Sequence, residues 1–248
     1  MSDAVAADAA GSVPDPHAPD PHAPDPDALR AAVRGLATQL LDRARAAGPD
    51  AVAPIVQAGH PALRARALAY DGHLSDAELA ELVALMHRTM RAAPGVGLAA
   101  PQIGLPLAIA VVEDPGVDDA DVAAARERVP LPFRVLVNPS YAPVGDERVA
   151  FYEGCLSVEG YVAVVTRPRR VRLTCLDERG AAVDEVLTGW PARIVQHETD
   201  HLQGTLYLDR AETRSLAASD DLGAHWASEP VPHEAARTLG FALPPSAG

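Results

Sequence analysis

Residues 170–188 read Arg-Val-Arg-Leu-Thr-Cys-Leu-Asp-Glu-Arg-Gly-Ala-Ala-Val-Asp-Glu-Val-Leu-Thr. As far as Leu176 the pattern has a period of two. Val171, Leu173 and Cys175 share one face; Arg170, Arg172 and Thr174 share the other. That is a strand with one buried side. Asp177 to Gly180 is turn chemistry, and residues 183–188 answer as the second strand of a hairpin. Cys175 falls on the core face and is read as a small buried hydrophobe. Apolar runs at 107–112 and 135–138 predict two more strands, the second stopped by Pro139. Ser75-Asp76-Ala77-Glu78 is a capping box. It opens a helix that runs to about Ala92, turns Leu79, Leu82, Val83 and Met86 inward, and is stopped by Pro94. Residues 29–47 predict a further helix with Leu36, Leu40 and Leu41 on one side. Antiparallel hairpins with separated helices define an α+β domain rather than a doubly wound sheet.

Charge and composition exclude several functions. The net charge is −13 over 248 residues, which argues against nucleic-acid binding. All 21 basic residues are arginine. Without lysine there is no phosphate-loop lysine and no Schiff-base chemistry. No apolar stretch approaches the roughly 20 residues of a membrane span, and no secretory signal is visible. A cytoplasmic setting with no membrane contact is expected, with Cys155 and Cys175 as free thiols.

The chain divides into three parts. Residues 1–28 include the repeats Pro-Asp-Pro-His-Ala, Pro-Asp-Pro-His-Ala and Pro-Asp-Pro-Asp-Ala. They are expected to be a disordered tail in which His17 and His22 are simply solvated. Residues 29–214 are expected to form one folded domain with a helical extension at its start. Residues 215–248 turn polar and proline-rich and are expected to pack loosely.

Residues 196–204 read Gln-His-Glu-Thr-Asp-His-Leu-Gln-Gly. On a helix, His197 and His201 stack on one face, close enough to grip one ion. Glu198 lies one step around, where it can take a proton from water and pass it to a leaving amine. A third ligand is needed. Asp209, Glu212 and His225 lie downstream in no recognisable frame. Upstream, Cys155 offers a soft anionic thiolate, and Gly154 beside it lets backbone approach. Residues 95–102, Gly-Val-Gly-Leu-Ala-Ala-Pro-Gln, formally match a dinucleotide fingerprint. They follow a helix rather than a strand, and Pro101 blocks a helix start, so that reading fails. The segment reads instead as extended backbone able to pair with a peptide, ending in the Gln102 amide aimed at a reacting carbonyl.

Taken together and in order, 95–102, Glu153-Gly154-Cys155-Leu156-Ser157 and 197–201 resemble the three motifs of the peptide deformylases. The likeness spans roughly residues 54–214. It implies antiparallel sheets packed around a central metal-binding helix. It implies removal of the formyl group from the N-terminal formylmethionine of nascent polypeptides, hence work near the ribosome. No basic C-terminal anchor is visible, because from Glu212 onward five acidic residues face only Arg214 and Arg237. The resemblance implies Cys155, His197 and His201 as metal ligands and Glu198 as acid/base. It implies that Gln102 and the Leu156 N–H steady the oxyanion. It implies Fe(II) as the ion, with zinc, nickel or cobalt able to replace it. Gly95, Val96, Gly97, Gly154, Ile194 and the stem of Arg193 are the candidate substrate contacts, with Val96, Ile194 and Arg193 forming the methionine pocket. The chain departs from the family pattern at Thr199, Glu159 and Val162, and the last two bear on peptide contacts rather than chemistry. Two rivals remain: a general metallopeptidase, and a non-catalytic homologue.

Overall fold

Alternating burial in the quoted hairpin becomes two paired strands. The computed structural model describes residues 25–245. Most of the expected tail, including His17 and His22, lies outside them. The elements run α1 (Pro26–Ala47), α2 (Asp76–Ala92), β1 (Gly97–Ala99), β2 (Ile109–Asp114), α3 (Ala120–Arg126), β3 (Leu131–Pro143), β4 (Arg148–Cys155), β5 (Val158–Pro168), β6 (Arg170–Leu176), β7 (Ala182–Thr188), α4 (Gly189–Leu202), β8 (Ala217–Ala218), α5 (Ser219–Asp221) and α6 (His233–Leu239). A five-stranded sheet has the order β1-β2-β3-β6-β7 and a three-stranded sheet β4-β5-β8, with every named pair antiparallel. The fold is α+β.

The larger sheet separates two cores, and β2 shows why. Ile109 and Val111 face α1 and α2, among Leu82, Leu85, Met86 and Met90. Ala110 and Val112 face the other way, toward Ala192, Ile194 and Val195 of α4. Both faces of this strand are covered, so it reads as a continuous apolar run instead of an alternating one. The smaller sheet closes over α4 from the other side: Arg193 of α4 donates to the carbonyls of Val149 in β4 and Val165 in β5. Helix α4 is thus held between the two sheets. The capping box at the start of α2 forms, with Glu78 N on Ser75 Oγ and Ser75 N on the Glu78 carboxylate.

Four sequence expectations need correction. Helix α1 begins at Pro26, not residue 29: Asp25 caps it and a proline is well placed at a first helical position. Its buried face is Val33, Ala37 and Leu41, while Leu36 is exposed. Residues 215–245 are not loose throughout. β8 pairs with Tyr161 and Val162, and α6 buries Ala235 against Ala150, Tyr152 and Val164. Nor does Pro139 stop β3. Between Val137 and Ser140 the strand advances three residues while β6 advances two, from Leu176 to Thr174. That one-residue bulge takes up the proline. Asn138 sits there in the left-handed region at φ 52°. Its amide mimics a strand neighbour: Tyr70 N donates to Oδ1 at 2.7 Å and Nδ2 donates to Tyr70 O at 2.8 Å.

We expect Asn138→Ala to cost roughly 2–4 kcal/mol, combining left-handed strain with two lost hydrogen bonds. Asn138→Gly should recover only the backbone part. Urea unfolding of the three proteins checks this, and an alanine variant as stable as the parent would refute the account of the bulge.

Candidate active site

Helix α4 follows β7 through Gly189, whose φ of 67° turns the chain sharply into the helix. Trp190, Arg193, Ile194 and His197 recur along the helix face that lines a cleft of about 850 Å³. Cys155 ends β4, just before the two-residue turn Leu156-Ser157. The turn carries the sulfur to α4, where Sγ lies 3.2 Å from His201 Nε2. One ligand atom from each of Cys155, His197 and His201 lies within 4.8 Å of the others. Two ligands with the usual sulfur and nitrogen bond lengths of zinc stand roughly 3.5 Å apart around a tetrahedral ion. One thiolate and two imidazoles suit zinc, iron or nickel, so both spacing and chemistry fit one transition-metal ion.

Behind His197 is a buried charge network. Glu153 Oε2 lies 3.1 Å from His197 Nδ1. The same carboxylate accepts from Arg167 Nε at 2.6 Å, Arg167 Nη2 at 2.9 Å and Arg193 Nη1 at 2.5 Å. Burial works to raise the Glu153 pKa, yet Arg167 and Arg193, with His197, hold it well below the usual carboxylate range. Arg167 also donates to Asp200 at 2.8 Å, and Asp200 takes bonds from Tyr141 and Arg210. A carboxylate behind a ligating imidazole fixes the ring's orientation.

Glu198 has the opposite environment. It is 4% exposed, and its Oε2 is buried without a hydrogen-bond partner among the described residues. Burial pushes its pKa up to about 7, against the pull of His197 and Arg167. Its neighbour across the cleft is Gly97, where an added Cβ would stand 2.1 Å from Glu198 Oε1. The glycine is required by that approach.

The other sequence candidates lie around this centre. Gln102 rides on a 3₁₀ turn (Ala100–Ile103) after β1. Ala99 N donates to its Oε1 at 2.8 Å, which turns Nε2 toward Ser157 Oγ at 3.3 Å and Cys155 Sγ at 3.6 Å. The Gln57 amide braces the turn by donating to Leu156 O and accepting from Glu159 N. Gly95 packs on Leu156, where a Cβ would meet Cδ1 at 2.8 Å, and Gly154 packs on Val162. Val96, Ile194 and Arg193 line the same cleft. The Arg193 guanidinium turns away to Glu153, which leaves the stem for the cleft. Sequence reasoning quoted Glu153 and Asp200 within motifs but gave neither a role. It missed Arg167 altogether, since nothing local marks a strand arginine that meets its partners only through sheet pairing.

Comparison with known proteins identifies the family. A family described as polypeptide deformylase matches residues 52–216. "Peptide deformylase 3" of Streptomyces avermitilis is 60% identical over 215 residues, covering 87% of this chain and 94% of the relative. "Peptide deformylase, mitochondrial" of Homo sapiens is 39% identical over 167 residues, covering 65% and 69%. Among solved structures, a Met-Ala-Ser-bound class I type b peptide deformylase from Acinetobacter baumannii superposes with a TM-score of 0.59 at 32% identity, covering 65% of this chain and 99% of that one. The chain belongs to the polypeptide deformylase family, the hydrolases that remove the formyl group from nascent polypeptides.

Proposed function

We propose that deformylation by this chain runs on a divalent ion held by Cys155, His197 and His201, with Glu198 moving the proton. The observation that carries this reading is the meeting of those three ligand atoms within 4.8 Å, beside a buried carboxylate. A divalent cation in this donor set supplies Lewis acidity toward water and a carbonyl oxygen. Glu198 accepts a proton as water oxygen bonds to the formyl carbon. The Gln102 amide and the Leu156 N–H donate to the oxygen on which charge develops. Glu198 then delivers the proton to the departing amine as the C–N bond breaks, giving formate and a free N-terminus. Its raised pKa suits a group that must hold the proton and then release it. Gly95 to Gly97 offers extended backbone to the peptide, with Gly154 opposite. Val96, Ile194 and the Arg193 stem take the methionine side chain.

The family resemblance favours Fe(II) as the resident ion, with zinc, nickel or cobalt as substitutes. It also favours a cytoplasmic enzyme working close to the ribosome. No helix among the described residues is long and apolar enough to cross a membrane. The general metallopeptidase reading loses ground because Asp209, its nearest downstream ligand, is tied to Arg64 and the Leu206 N–H. The non-catalytic reading loses ground because Glu198 and Gln102 are both present at the centre.

Glu198→Gln should keep metal content near that of the parent and lower turnover roughly 10²–10⁴-fold, measured as formate release from a formyl-Met peptide. Most activity surviving with metal bound would remove Glu198 from this role.

Zinc-loaded protein should show a sulfur neighbour about 2.3 Å from the metal by X-ray absorption, and Cys155→Ala should abolish it. A shell of nitrogen and oxygen alone would exclude the thiolate as a ligand.

A further inference from the structure

The cleft floor along α4 has a length that can be set against the substrate. Seven residues separate His197 from Trp190, roughly 10 Å of helix. A formyl carbon and the methionyl side chain beyond it span about 8 Å when extended. A side chain laid back along α4 from the metal ligands therefore ends near Trp190.

That end of the cleft is not hydrocarbon. The Arg126 guanidinium carbon lies 4.9 Å from the Trp190 ring centroid and 5.7 Å from that of Phe151. The placement is built in: Glu127 caps α3 in the left-handed region at φ 47°, and a Cβ on Gly189 would meet Glu127 Cβ at 2.4 Å. The end of α3 thus lies directly against the start of α4. The charges around Arg126 are all spoken for. Glu127 takes two bonds from Arg169, at 2.6 and 2.5 Å. Arg128 gives two to Asp114, both at 2.9 Å. Arg193 is held by Glu153. Of these four arginines only Arg126 donates to no protein acceptor among the described residues, and its Nε and Trp190 Nε1 are buried without a partner there. Arg126 and Trp190 both line the cleft. The two buried atoms are shut inside the stack, so the Nη groups of Arg126, which meet no protein acceptor among the described residues, are the donors that this end of the cleft presents.

We infer that the Arg126 guanidinium, stacked on Trp190, forms an acceptor-binding end to the pocket for the N-terminal side chain, and that the enzyme deformylates chains beginning with formyl-methionine sulfoxide. This rests on the deformylase reading and on the side chain lying along α4. The first residue of a nascent chain is methionine, whose thioether is a weak acceptor. Oxidation places a polar oxygen at the same point of the same straight side chain. An aliphatic pocket would reject that oxygen, whereas a guanidinium on an indole receives it. The reaction is unchanged: the amide C–N bond breaks, water supplies the hydroxyl, and formate leaves.

The test compares formate release from three peptides that differ only at residue one: formyl-Met, formyl-Met sulfoxide and formyl-norleucine, which has the same shape without the acceptor. The parent enzyme should process the sulfoxide peptide within about tenfold of the norleucine peptide in kcat/KM. Arg126→Met should lower the sulfoxide-to-norleucine ratio roughly ten- to a hundredfold, and Arg126→Lys should recover part of it. Because the ratio is taken within each variant, it does not depend on how much of that variant is folded. A parent that rejects the sulfoxide more than a hundredfold, or a ratio unmoved by Arg126→Met, overturns the inference and leaves deformylation standing. No formate from any of the three peptides overturns deformylation and this inference with it.

Discussion

Glu153 is buried, carries its charge, and is shared by two arginines and a histidine. Taking such a group out of water is expensive, and only the surrounding cations make its position tenable. Those partners come from different parts of the fold. Arg167 stands on β5, Arg193 and His197 on α4, and Glu153 itself on β4, two residues before Cys155. One carboxylate thus joins the small sheet to the central helix and orients His197, a member of the cluster that could hold a metal. Asp200 extends the linkage by binding Arg167 from the next turn of α4 and Tyr141 from β3 of the larger sheet.

The two buried glutamates at the centre show how environment assigns roles to one side-chain type. Glu153 is crowded by cations and held ionised. Glu198, on the cleft side of the same helix, has one oxygen with no partner among the described residues and is pushed up to about 7 by burial. The first fixes geometry and the second can exchange protons.

Much of this was legible in the sequence because it rests on local pattern. The β6–β7 hairpin follows from period-two alternation, α2 from its capping box, and the pairing of His197 with His201 from helical spacing. The three motifs named the family because their order is far more specific than any one of them. What stayed hidden depends on long-range pairing. Nothing beside Arg167 announces that β5 will carry it to Glu153 and Asp200. Pro139 read as a strand stop because its penalty is local, while its relief is distant, supplied by Asn138 bonding to Tyr70 across 68 residues. The C-terminal segment seemed loose because its few apolar residues gain value only once the three-stranded sheet exists to receive them. The donors of Arg126 and Trp190 belong to the same class, since two residues far apart in the chain become an unmatched pair only when α3 docks on α4.

The closeness of Gly97 to Glu198 has an evolutionary consequence. Enzymes under pressure from a blocking molecule often escape by growing a side chain into the space it occupies. At position 97 that route meets Glu198: the first carbon added would stand 2.1 Å from Oε1 of the carboxylate proposed to move the proton, so that side chain would have to shift. Larger residues there would exclude the intruder only by displacing that carboxylate. A compound whose bulk rests against the backbone of Gly97 therefore presses on a position where any added bulk must first move Glu198.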